Sequence, residues 1–291
     1  MKKNHVSIYL LSLLLLFSRW QVSAEDVIFV EIKLHQPDRT FAFLDFSYEE
    51  VEQVAMLPEV VFYEPLLAFS IEKDESLATV NQENNILLRG ISYTNFFYLR
   101  AGQLSIVDGR NFSVEELHLK DKSDVIPALI PKSFAGLNNL VIHSEFDINH
   151  TVYFIPQGHD FQGYKIDEEE NLNNIITTEM YRFKVIGIFE ETDSQYMGYP
   201  FDLSENTILV PNELVAKVIQ SHGTIEFEFN RQAFRHDRWY EHAFDVYKKY
   251  FDEERIFHHP LLTINADDFL DFEKKANEII APYYHIRQVK H

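Results

Sequence analysis

The sequence predicts an α+β fold: a mixed α/β layer built from two β-α-β units at the two ends of the chain, with a β-rich subdomain inserted between them. Three observations predict it. Strand and helix periodicities alternate near both ends. The middle is a succession of short β-like runs separated by Asn, Asp, Gly and Pro clusters. The composition supports a core, with 46% apolar residues, 25 Phe and 15 Tyr in 291 residues, which is incompatible with a disordered chain.

The first residues read as an export signal and not as part of the fold. Lys2 and Lys3 precede the apolar run Val6 to Phe17, and Val22-Ser23-Ala24 offers small residues where a signal peptidase cuts. The run is about twelve residues, short of the roughly twenty that cross ~30 Å of hydrocarbon. An uncleaved membrane anchor is the alternative, and the chain holds no cysteine to carry a lipid. Cleavage after Ala24 would change the formal charge from 26 − 46 = −20 to 23 − 46 = −23, because Lys2, Lys3 and Arg19 leave. No later apolar run is long enough to span a bilayer, so the mature chain is expected outside the cytoplasm, secreted, periplasmic or at the cell surface, either free or tethered by that segment.

Val27 to Leu34 alternates and is rich in β-branched residues, a strand. Ser47-Tyr48-Glu49-Glu50 is a capping box that opens a helix with Val51, Val54, Ala55 and Leu57 on one face, stopped by Pro58. Val60 to Ile71 is a second strand, interrupted by Pro65. Near the other end, Thr224 to Phe229 reads as a strand, Asp237 to Tyr250 as a helix and Ile256 to Ile264 as a strand carrying Pro260. A last helix, Ala266 to Ile280, places Phe269, Phe272, Ala276, Ile279 and Ile280 on one face. Between these units lie the short runs Val125–Ile130, Leu140–His143, Thr151–Pro156, Tyr181–Phe189 and Thr207–Pro211, and the polar stretch Glu168 to Asn174 reads as a solvated loop. The expected organisation is residues 1–24 as signal, 25–110 with 218–291 as the α/β subdomain, and 111–217 as the β-rich insertion.

Several kinds of chemistry are excluded. Without cysteine there is no disulfide framework, thiol nucleophile or thiolate-bound metal. The negative charge repels phosphate backbones and speaks against nucleic acid. The phosphate-cradling and dinucleotide glycine patterns are absent. Ser92, in Gly90-Ile91-Ser92-Tyr93-Thr94, lacks the second glycine of a nucleophile elbow and reads as a turn serine. His236 and His242 are six apart and point about 120° away from each other on a helix, while His258 and His259 face opposite sides of a strand. Neither arrangement makes a metal site. Asp267-Asp268 is helix-start charge. Asn111-Phe112-Ser113 and Asn149-His150-Thr151 match the glycosylation acceptor pattern, which matters only in a eukaryotic source.

The segment LRGISYTNFFYLRAGQLSIVDGRNFSVEEL, Leu88 to Leu117, carries a denser pattern. A glycine-apolar-Ser start at Gly90 and Ser92 is followed by the aromatic pair Phe96 and Phe97, an apolar stretch, and then Gly109, Arg110, Phe112, Ser113, Glu115 and Glu116. Asp108-Gly109 is a tight-turn signal, Ser113 to Glu116 is a capping box, and the three phenylalanines are most simply core. Further along come Ile126 to Ala135, the run Phe183 to Ile188 around Gly187, and Ile208 to Pro211. This order resembles the extracytoplasmic core domain of MacB-type and FtsX-like ABC transporter permeases, over about 120 residues. It departs from that family near His143 to Val152, where Asn149 and His150 stand in place of a glycine. The permeases also continue into three further membrane helices after this domain, whereas this sequence stops at His291.

The resemblance implies a porter-like α/β subdomain with a sabre-like β-rich insertion, no cofactor and no catalytic residue, the matching positions being architectural. It implies a non-enzymatic binding domain that works with ABC permease or ATPase subunits, or with an extracytoplasmic protein or peptide ligand. The alternatives are an exported hydrolase with dispersed carboxylates and histidines, such as Glu241, His242 and His258, and a cell-surface structural or adhesion protein.

Overall fold

A computed structural model of the chain describes residues 27–34, 48–73, 75–118, 125–153, 175–192, 203–218, 259–280 and 284–289. The export signal, Ser47, the 168–174 loop, the 224–229 and 237–250 elements and the residues His236, Glu241, His242 and His258 lie outside them. The described part is an α+β structure with two sheets.

The first sheet is made from both ends of the chain. Strands β1 (Val27–Leu34), β2 (Val60–Leu66), β10 (His259–Asn265) and β11 (Tyr284–Gln288) run in the order β11-β1-β10-β2. Every neighbouring pair is antiparallel. Helix α1 (Tyr48–Ala55) joins β1 to β2, and α5 (Phe269–Ile279) joins β10 to β11. Two β-α-β units interleaved in this order make a split β-α-β layer of the ferredoxin-like kind. Val51 and Val54 of α1 and Phe272 and Ala276 of α5 are buried against Val30 and Leu262, so both helices cover one face. The carboxyl-terminal unit uses β11, a strand the sequence reading does not contain.

The run Val60 to Ile71 is not one strand. It ends as β2 at Leu66 and restarts as β3 (Ala68–Glu72), in the second sheet. Pro65 lies inside β2 and not at the break. There it faces Pro260 of β10, so neither strand needs a donor at that point, and β2 is an edge strand. The chain therefore changes sheets at Leu67.

The second sheet contains β3, β4 (Asn85–Ile91), β5 (Leu104–Gly109), β6 (Ile126–Pro131), β7 (Glu145–Tyr153), β8 (Ile175–Glu191) and β9 (Thr207–Pro211), in the order β3-β4-β9-β6-β8-β5 with β7 also on β8. Because β3, β4 and β5 belong here, the change of sheet falls ahead of the boundary expected after residue 110. The physical reason is long-range pairing: β4 lies parallel to β9, more than a hundred residues away. Helix α3 (Lys132–Leu137) and the segment α4 (212–218) cover one face, where Phe134, Leu214 and Val215 join the core of Ile86, Leu88 and Phe183. The other face packs on the helix-free face of the first sheet through Phe29, Leu66 and Leu261.

Leu140–His143 is a turn and not a strand. Asn139 and His143 both adopt positive φ, 53° and 70°, which ends any extended run, while Leu140 and Ile142 pack against the core from the turn. The strand begins two residues later, so Asn149 and His150 sit within β7 and the turn ahead of it uses His143 where glycine would be easier.

Candidate functional site: the crossing between the two sheets

Strand β8 changes partner part-way along one side. Lys184 still pairs with Glu145 of β7, whereas Gly187 pairs with Gly109 of β5. Between them the His143 amide donates to the Val185 carbonyl at 2.8 Å, and the Arg110 amide donates to Ile186 at 3.0 Å. On its other side β8 carries a bulge opposite Ala128 and Leu129 of β6.

This crowding explains both glycines. Gly109 has φ +73°, and a Cβ there would collide with the Ile186 carbonyl and come within 2.6 Å of Ile142 Cδ1. A Cβ on Gly187 would strike the Arg110 carbonyl and lie 2.7 Å from Leu129 Cδ2. Asp108-Gly109 thus ends a strand, with Asp108 Oδ1 accepting the Gly109 amide at 2.8 Å, and does not form a hairpin turn.

Arg110 leaves this crossing and pairs with Glu116 through two hydrogen bonds of 2.7 and 2.6 Å. The Ser113 amide donates to Glu116 Oε2 at 2.8 Å and the Glu116 amide donates to Ser113 Oγ at 3.3 Å, a reciprocal capping arrangement around the short 3₁₀ turn Glu115–Leu117. The Arg110 hydrogen bonds hold the Glu116 carboxyl below the usual carboxylate range. Asn111 is committed too: its Nδ2 donates to Thr94 O at 2.5 Å and its Oδ1 accepts the Phe112 amide at 2.8 Å. Phe112 is buried.

Gly90 lies at a second close approach, beside the end of β9 at Pro211. β4 and β9 set Ile91 opposite Pro211. A Cβ on Gly90 would collide with Asn212 Oδ1 and reach 3.0 Å from the Asn212 backbone, while the Gly90 amide donates to Leu67 O at 2.9 Å, at the change of sheet. Ser92, half-buried, begins the connection from β4 to β5.

That connection carries α2 (Phe97–Arg100) and docks on the first sheet. Phe96, Phe97 and Tyr98 are all buried, and Phe97 packs edge-on against Phe29 of β1 with ring centroids 4.9 Å apart. Here the structure holds an ion pair with no local signature in the sequence. Glu64 of β2, 2% exposed, meets Arg100 of α2 and accepts the Phe97 amide at 3.1 Å. Arg100 also donates to Thr263 Oγ1 of β10 at 3.1 Å and to Asn95 O, and its guanidinium lies 4.3 Å from the Phe62 ring centroid. Tyr93, 41% exposed, closes the arrangement by donating its hydroxyl to Tyr63 O at 3.0 Å. Burial pushes the Glu64 carboxyl up, with Arg100 partly offsetting it. A second buried carboxylate, Glu31, pairs with Arg287 across β1 and β11.

The pattern residues thus fall into two groups, Gly109, Arg110, Phe112 and Gly187 at the β5–β8 crossing, and Gly90, Ser92, Phe96, Phe97 and Pro211 where the sheets meet. All occupy turns, close approaches or core. Among the described residues no group of three His, Asp or Glu side chains is arranged to hold a metal ion, and no helix is long and apolar enough to cross a membrane.

No protein-family model and no curated protein sequence matches the chain. Among solved structures, the chain is similar to extracytoplasmic domains of ABC-type transporters. One is the extracellular domain of the noncanonic ABC-type transporter YknZ from Gram-positive bacteria, at 12% identity and a TM-score of 0.41, covering 89% of this chain and 99% of that one. Another is the periplasmic region of MacB from Actinobacillus actinomycetemcomitans, at 10% identity and a TM-score of 0.44, covering 90% and 88%.

Proposed function

We propose that this protein is a non-enzymatic extracytoplasmic interaction domain related to those that ABC transporter permeases of the mechanotransmission type display outside the membrane. The observation that supports this reading is the use made of the ordered pattern from Gly90 to Pro211. Its residues fill close backbone approaches within the second sheet and the buried aromatic contact between the two sheets, which are architectural positions. Such a framework serves binding at a surface. The partners are ABC permease or ATPase subunits, or an extracytoplasmic protein or peptide. The formal charge of −20 favours partners with basic surfaces. An amino-terminal segment with the layout of an export signal supports binding outside the cytoplasm.

The test is site-specific photo-crosslinking in the native host, with the reactive side chain introduced at exposed Tyr93, and mass spectrometry of the adducts and of the mature amino terminus. Adducts with an ABC transporter subunit or an exported protein, on a chain recovered outside the cytoplasm, are expected. A chain confined to the cytoplasm, or one free of such adducts, overturns the proposal.

A further inference from the structure

The contacts around Glu64 join parts of the molecule that main-chain pairing keeps separate. Glu64 and Phe62 belong to β2 and Thr263 to β10, all in the first sheet, whereas Arg100 and Phe97 sit on the connection between two strands of the second. Three residues beyond Glu64 the chain passes from one sheet to the other at Leu67. Leu67 is itself buried and its carbonyl accepts the Gly90 amide, and the sheets pack on each other through Phe29, Leu66 and Leu261, apolar packing that holds them together without setting a direction.

We propose that the Glu64–Arg100 pair is a clasp that fixes the angle at which the two sheets pack on each other. A buried ion pair is a poor source of net stability, since desolvation of both charges offsets their attraction. What it supplies is direction: Arg100 reaches Glu64, Thr263 and the Asn95 carbonyl at once while lying over Phe62, and that set of contacts fits one placement of α2 on the sheet. Loss of the carboxylate charge weakens the charged contact between the sheets, beside the Tyr93–Tyr63 hydrogen bond, and leaves the strands of each sheet paired as before. This inference does not depend on the identity of the binding partner.

The absence of cysteine makes the test direct. Spin labels are attached to Met180→Cys on β8 and Leu270→Cys on α5, which are 57% and 76% exposed, and the distance distribution is measured by double electron–electron resonance. The doubly labelled parent should give one narrow distribution. Glu64→Gln, which keeps an acceptor for the Phe97 amide, and Arg100→Met should each broaden it about twofold or shift it, with circular dichroism unchanged. The double variant Glu64→Met with Arg100→Met should be narrow again, since apolar packing replaces the pair. Folded single variants with the parent's distribution overturn the proposal. Single variants that both unfold outright overturn it too, because the pair would then be a requirement of the fold and not a clasp.

Discussion

Gly109 and Gly187 face each other where β8 exchanges one partner for another, and each lies where a Cβ would meet the other strand's backbone. Gly109→Ala adds to that collision a positive φ, itself worth about 1–2 kcal/mol against any L-residue. The variant should lose at least that much stability in urea unfolding. Arg110→Ala, by contrast, removes an exposed pair, worth about 1 kcal/mol or less. Glu64 should contribute to the acid side of the stability profile. Its folded-state pKa is raised by burial, with Arg100 opposing and Tyr93 nearby, so the folded protein takes up that proton at a higher pH than the unfolded chain. Between those two values the folded state holds more protons, and stability from this group grows as pH falls and shrinks as pH rises. Glu116 runs the other way: its pKa is depressed, so its contribution is present above the unfolded value and lost as pH falls through the folded one. Thermal midpoints from neutral to mildly acidic pH should show the wild type gaining relative to Glu64→Gln, and a constant difference between them would refute the assignment. Glu64 and Arg100 escaped the sequence reading because they are 36 residues apart and neither sits in a recognisable pattern. Gly109 and Gly187 were legible as special positions, though the crowding that demands them was not.

At the level of elements, the sequence was informative where one face is buried and one is not. Val27–Leu34 and the apolar face of the last helix match the structure because alternation and helical spacing are local properties. Three features were not legible for the converse reason. Val60 to Ile71 reads as one strand because both halves are β-like, and only long-range pairing assigns them to different sheets. Leu140–His143 is apolar enough for a strand, but its buried side chains are delivered from a turn. β11 follows Pro282 and has Ile286 as its one aliphatic residue, so it becomes a strand through β1 and not through its own sequence. That dependence is mutual. A chain ending before Tyr284 leaves β1 without a partner on one side and Glu31 without Arg287. A buried carboxylate deprived of its partner costs about 3–5 kcal/mol. Such a truncation should abolish hydrogen-exchange protection of β1 and β10 while β6 and β8 remain protected. Equal loss in both sheets would mean that they unfold as one unit.

At the scale of the molecule, the fold is a layer closed by the two ends of the chain and a second sheet held within that closure. Glu64, Arg100 and the aromatic cluster around Phe97 are the means by which the inserted part is seated on the layer. The position of β1 has a kinetic consequence. It is the first described strand in the chain, yet both of its neighbours, β10 and β11, come from beyond residue 258. During synthesis β1 has no strand to pair with until the residues beyond 258 have been made, whereas β4, β6, β8 and β9 find all their partners within the interval from Ala68 to Pro211. Closing so long a loop is entropically unfavourable and comes late. The second sheet therefore assembles first, and the layer that contains β1 closes only when β10 and β11 arrive.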